Sequence, residues 1–182
     1  MTNKTDLTND KNLQQHLYCA KILVYDKCGF DFDGLIAEDE SQEYGACTFR
    51  LNKLKIKFRI SKITPTKTGQ FVAIWKRNQE GVTQPFDLTD EIDFIIISSQ
   101  NGDNFGQFIF PKSVLLDKGI LTGNGKKGKR GIRVYPPWDT VANKQAKKTQ
   151  DWQIKYFLTI DNGYKTNLNL AEQLFETIDE TN

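Results

Sequence analysis

The chain has a single histidine, His16. Ser-His-Asp and Cys-His catalysis both need a histidine base near the nucleophile, so one histidine on a first helix speaks against either. His16 is expected to be a surface or satisfied residue. Cysteine is also scarce: Cys19, Cys28 and Cys47, an odd number with no Cys-x-x-Cys pair. That spacing makes neither a zinc site nor a disulfide framework, and it suits reduced thiols in a reducing compartment. No apolar run approaches membrane-spanning length. The polar start has no signal-like apolar segment, so a cytoplasmic location and no membrane partner are expected. No Asp or Glu is followed two residues later by Lys, and no Gly-Lys-Ser/Thr closes a glycine-rich loop. No cofactor or metal is implied.

What remains is ordinary globular composition, 38% hydrophobic and 26% charged, with an uneven order of charge. The net charge is only +2. Yet Asp31 to Glu43 holds six acids and no base, while Tyr44 to Gln79 holds nine bases and no acid. Asn104 to Trp138 adds seven bases against Asp117 alone, and Glu172 to Glu180 is acidic again. Blocks of one sign let a small net charge conceal a strong local field.

One domain is expected over 1–182: a loose tail at 1–8, a core at 9–165, and a C-terminal helix with an acidic tail at 166–182. Thr8 or Asn9 can cap a helix to about Tyr25, with Leu13, Leu17, Ala20 and Val24 on one face. Residues 26–42 read as loop. From Tyr44 to Lys62 the period becomes two, with a turn at Asn52-Lys53. Leu54, Ile56, Phe58 and Ile60 face the core, and Lys55, Lys57 and Arg59 face solvent. Thr64 to Gly69 reads as a loop, Gln70 to Lys76 as a strand, and Ile92 to Ser98 as a central buried strand. Asn101-Gly102 marks a hairpin into a strand ending at Phe110. Pro111 opens a short helix, Gly123 to Gly131 is a basic glycine-rich loop, and Ile132 to Tyr135 is a strand. Ala142 to Leu158 reads as a helix with Gln145, Thr149, Trp152 and Gln153 on one side, and Leu168 to Ile178 as a last helix. The fold class is α/β: a central mixed or mostly antiparallel sheet of about five strands flanked by helices. Gly69-Gln70-Phe71-Val72 and Gly106-Gln107-Phe108-Ile109 match locally, and each glycine is read as solving the same turn.

Three blocks carry a family resemblance: Lys62 to Phe71, Phe105 to Lys112, and Gly128 to Trp138, the last reading Gly-Lys-Arg-Gly-Ile-Arg-Val-Tyr-Pro-Pro-Trp. They resemble the MepB family over about Glu43 to Ile160. The resemblance implies a restriction-endonuclease-like α/β fold and a bacterial source. It also implies relatives encoded beside a drug-efflux pump, hence an alternative role as a regulatory or protein-interaction module. It carries over no catalytic residue. A nuclease of that fold needs clustered carboxylates and a lysine. The strand expected to hold them, Phe71 to Arg77, has no carboxylate. A migrated metal site could draw only on Glu43, Asp90, Glu91 and Asp93 with Lys62 or Lys76.

Nucleic-acid binding without catalysis fits the residues better. Lys55, Lys57 and Arg59 alternate along a strand at about 6.5–7 Å, close to phosphate spacing. Arg50, Lys62, Lys67, Lys76, Arg77 and Lys112 extend the basic surface. Lys126, Lys127, Lys129, Arg130 and Arg133 crowd a glycine-rich segment whose backbone can approach phosphate closely. Tyr135 and Trp138 offer rings for bases, and Trp75 is an aromatic just before Lys76-Arg77. DNA or RNA is the expected partner. A homodimer held by the acidic and basic blocks is the rival.

Overall fold

A computed structural model describes residues 11–161 and 165–176. The tail at 1–8 and residues 177–182 of the acidic end lie outside the described residues. Lys11–Ala20 (α1) is helical and continues through one wider turn at Lys21–Tyr25. Leu13, Leu17, Ala20 and Val24 are buried together, as the spacing predicts.

A six-stranded mixed sheet forms the centre. Its strands are Phe32–Ala37 (β1), Cys47–Leu51 (β2), Leu54–Ile60 (β3), Phe94–Asn101 (β8), Asn104–Pro111 (β9) and Phe157–Thr159 (β11), lying side by side in that order. Only β3 and β8 run parallel; the other neighbours are antiparallel. Asn52 and Lys53, both at positive φ, make the turn between β2 and β3. The chain between the parallel pair is not one crossover helix. It builds Lys62–Thr64 (β4), Lys67–Ala73 (β5), Trp75–Arg77 (β6) and Thr83–Pro85 (β7). Strands β4 and β5 join the later Gly131–Val134 (β10) in a second, three-stranded sheet, and β6 pairs with β7.

Alternation along β8 sends Phe94 and Ile96 to one core, and Ile95 and Ile97 to another. The first core is closed by α1 and by Leu168–Glu176 (α4), through Ala171, Leu174 and Phe175. The second is closed by Lys112–Asp117 (α2), by Trp152 of Lys144–Gln153 (α3), and by the second sheet through Val72, Ile132 and Val134. Helices therefore flank both faces of the mixed sheet. His16 is buried, its Nδ1 2.8 Å from the Ser98 hydroxyl.

Several expectations need correction. The acidic stretch read as loop contains β1. It escaped notice because four of its six residues are exposed and show no apolar alternation. The helix expected from Ala142 starts at Lys144, capped by the Asn143 side-chain oxygen Oδ1 accepting from Ala146 N. It stops at Gln153, one tight turn follows, and Phe157 and Leu158 leave it to join the sheet as β11. The loop expected at Thr64 to Gly69 is only a tight turn between β4 and β5. The two matched glycines differ. Gly69 has φ +81 and supports the Tyr135 ring, whereas Gly106 sits inside β9, where an added methyl would stand 2.5 Å from the Leu158 carbonyl.

Candidate nucleic-acid interface

The acidic block does not stay apart from the basic one. Because β1 pairs with β2, and β2 with β3, the acids of residues 31–43 arrive beside the bases that follow them. Arg50 Nε lies 2.6 Å from Asp33, and Lys57 Nζ lies 2.6 Å from Glu38. Arg59 donates to the other Glu38 oxygen at 2.5 Å. Arg77 pairs with Glu40 and stacks its guanidinium 5.2 Å from the Trp75 ring. Lys55 pairs with Glu91 at 2.7 Å.

The open stripe expected on β3 is thus corrected. Ile56, Phe58 and Ile60 are buried as expected, and Leu54 is half-buried. Of the cations, Lys55 alone is open to solvent; Lys57 is half-buried and Arg59 is 1% exposed. The cause is packing: this face of β3 looks toward the second core, and Lys57 Nζ rests 4.7 Å from the Phe86 ring of that core. Burial works to raise the Glu38 carboxyl, but Arg59 and Lys57 outweigh it and hold the group below its ordinary range. Cys47, buried at the start of β2, has its thiol pushed up to about 12, chiefly by burial.

Three of the four carboxylates considered for metal, Asp90, Glu91 and Asp93, are also engaged. Lys76 Nζ lies 2.7 Å from both Asp87 and Asp90. Hydrogen bonds from Lys76 and Thr89 hold Asp87 at about 2. Lys112 donates to the Asp90 carbonyl, and Asp93 accepts from the backbone N of Lys55 at 2.7 Å. Among the described residues no group of three or more His, Cys, Asp or Glu is placed to hold a metal ion. The segment Phe71 to Arg77 is not in the central sheet; it is split between β5 and β6.

A different surface remains open. Across the outer face of the second sheet, Arg133 of β10 stands opposite Phe71 of β5, and Phe71 opposite Lys62 of β4. Two strand spacings place Arg133 and Lys62 roughly 10 Å apart. The Phe71 ring lies 6.1 Å from Tyr44, and Lys62 Nζ sits 4.6 Å over that tyrosine. Glycine gives both sheet rings a seat: a methyl at Gly69 would stand 2.6 Å from Tyr135, and one at Gly131 would stand 2.6 Å from Phe71. Arg133 is anchored by donating to the Gly69 carbonyl at 3.1 Å and the Thr64 hydroxyl at 2.7 Å.

The glycine-rich segment leads directly into this face. It is tied down by Gly128 N donating to Thr122 Oγ1 at 2.9 Å and by Lys129 N donating to the Ile120 carbonyl at 2.9 Å. Its side chains stay out. Lys126 reaches only the Asp117 carbonyl, and Arg130 the Thr83 hydroxyl. Among the described residues, Lys62, Lys67, Lys127, Lys129, Arg130 and Arg133 have no carboxylate within ion-pair distance. The expected Trp138 instead packs edge-on against Phe157 at 5.5 Å. Phe71 and Tyr44 were missed, because on a sheet with one open face aromatic character alone does not say which way a ring points.

A family model described as MepB-like matches residues 38–159, about two thirds of the chain. The chain belongs to the MepB-like family. A solved structure described as MepB is 38% identical and superposes with a TM-score of 0.70, covering 72% of this chain and 89% of that one. The structure of a bacterial homing endonuclease aligns at 15% identity and a TM-score of 0.42, over 81% of this chain and 90% of that one. No curated protein matches. The matched region contains the outer face of the second sheet, the glycine-rich segment and the paired Glu38 cluster.

Proposed function

We propose that this MepB-like chain binds nucleic acid through the outer face of its second sheet and the glycine-rich segment beside it, without cutting it. One observation carries the reading: six cations and three aromatic rings share that region, and none of those cations is paired with a carboxylate among the described residues. A phosphate backbone needs several unspent cations on one surface, and unstacked bases need rings between them. Both are present, with the Phe71 and Tyr135 rings seated on Gly131 and Gly69. Single strands suit this arrangement better than a duplex, whose bases are already stacked.

The rival readings have less support. Four bases of the basic block, Arg50, Lys57, Arg59 and Arg77, already pair with Asp33, Glu38 and Glu40 of the acidic block within one chain. Three of the four carboxylates that would hold a catalytic metal, Asp90, Glu91 and Asp93, are held by lysines or backbone N–H groups. Purified protein with Mg²⁺ or Mn²⁺ is therefore expected to leave plasmid and oligonucleotides intact. Metal-dependent cleavage lost in Asp90→Ala would replace the binding-only reading with a nuclease.

The direct test is fluorescence anisotropy with single- and double-stranded DNA and RNA across a salt series. If about four to six cations meet phosphates, the log–log slope should be roughly −3 to −5 on duplex or somewhat shallower on single strands. Changing Lys126, Lys127, Lys129 and Arg130 together to Ala should flatten the slope by about 3 and leave thermal stability nearly unchanged. Parent-like affinity and salt dependence in that variant would overturn the proposal.

A further inference from the structure

Beside the proposed interface, between β10 and one side of α3, lies a cavity of ≈ 450 Å³. Its walls carry three cations, Lys118, Lys129 and Arg133, and no carboxylate. Trp152 forms an aromatic wall, its ring packed 5.2 Å from Phe110, with Lys118 Nζ 5.9 Å from the indole. Lys118 also pairs with Asp117 at 2.9 Å, so Lys129 is the freer charge. The shape is set in advance by Gln153, which is buried and spends both ends of its amide across the gap. It accepts from Tyr135 N at 2.9 Å and donates to the Arg133 carbonyl at 3.0 Å, locking strand to helix. Gln145, one turn of helix away from Thr149, keeps its side-chain amide uncommitted.

We infer that this cavity holds one nucleotide, with its base against Trp152 and its phosphate on Lys129 and Lys118. The volume lies in the range of small-molecule sites and suits a single base with its sugar and phosphate. Among the described residues Lys129 and Arg133 meet no carboxylate, and Lys118 meets only Asp117 outside the cavity, so the wall asks for an anion. A simple inorganic anion would leave the accessible part of the indole uncovered, and an apolar ligand would leave the cations unmatched. The Gln145 amide offers a donor and an acceptor together, which is what a base edge requires. The inference rests on the nucleic-acid reading in that Arg133 and Tyr135 border both surfaces. The nucleotide can be a free nucleoside monophosphate or one unstacked unit of a bound strand.

Intrinsic tryptophan fluorescence of the full chain, titrated with AMP, CMP, adenosine and inorganic phosphate, tests it. The monophosphates should quench saturably, and adenosine or phosphate alone should need at least tenfold more. Gln145→Ala and Lys129→Glu should each weaken the monophosphates at least tenfold with unchanged melting temperature. Trp152→Phe should remove most of the quenching. AMP that displaces a labelled single strand identifies the occupant as a unit of the strand; AMP that binds without displacing it identifies a free nucleotide. No saturable response to either monophosphate, in a protein that still binds oligonucleotides, overturns this inference and leaves the interface standing. Saturable AMP binding in a protein that binds no oligonucleotide does the reverse: the cavity stands and the interface falls.

Discussion

Glu38 shows how one side chain redirects a surface. It reaches between Lys57 and Arg59 and pairs with both, at 2.6 and 2.5 Å. Removing one partner of a buried pair leaves the other charge without compensation. Glu38→Gln is therefore expected to cost about 3 kcal/mol in urea unfolding, because Arg59 is 1% exposed and cannot turn to water. The pH dependence follows from the same pair. The folded Glu38 pKa is depressed, so its contribution is complete above the unfolded glutamate value and is lost as pH falls through the folded one. The parent should lose stability across that acidic window, and Glu38→Gln should show a flatter profile there. A parallel pair of profiles would mean that folding does not shift the Glu38 pKa.

At the scale of elements, the second sheet can be tested as a stacking platform. Tyr135→Leu and Phe71→Leu should each weaken single-stranded binding by about 1–3 kcal/mol per base lost, seen as a rise in Kd of roughly 5- to 150-fold. Duplex binding should change much less. Gly106→Ala, by contrast, belongs to the central sheet. It should destabilise by several kcal/mol in thermal or urea unfolding, because the added methyl meets the Leu158 carbonyl and the Phe157 ring. Elements that announce themselves by period or turn chemistry were legible from residues alone: α1, the β2–β3 and β8–β9 hairpins, and buried β8. Elements defined by their neighbours were not. Strand β1 is an exposed edge, and β11 follows a helix without a glycine or proline to mark the change. The basic glycine-rich segment was visible as composition. The pairing that disarms Arg50, Lys55, Lys57 and Arg59 was not, since Glu38 and Arg59 meet only after two hairpins close.

Over the whole molecule, a net charge of +2 is divided rather than spread. One side is internally balanced by the acidic strand, and the other keeps its cations unspent. That division predicts two classes of charge variant. Arg50→Ala with Lys55→Ala should leave nucleic-acid affinity within about twofold and the salt slope nearly unchanged, since both cations are already partnered at the surface. Lys62→Ala with Lys67→Ala should shift the slope by about 2, measured in the same anisotropy series. If the two pairs behave alike, the field does not distinguish the two sides and the interface is wrongly placed. Among the described residues no helix is long and apolar enough to cross a membrane.

Cys47 lies at the inner edge of the Glu38 cluster, wholly buried, while Cys19 and Cys28 are partly accessible. A thiol reagent can reach it only when the β1–β2–β3 meander opens. Its labelling rate is therefore a clock for that opening. With Cys19 and Cys28 replaced by Ser, the slow modification of the remaining sulfur under native conditions would time how often the acidic strand lets go of the basic one. A reagent that labels Cys47 as fast as a free thiol would show the strand to be open most of the time. A rate that slows with added single-stranded oligonucleotide would show that binding on the second sheet tightens a seam it never touches.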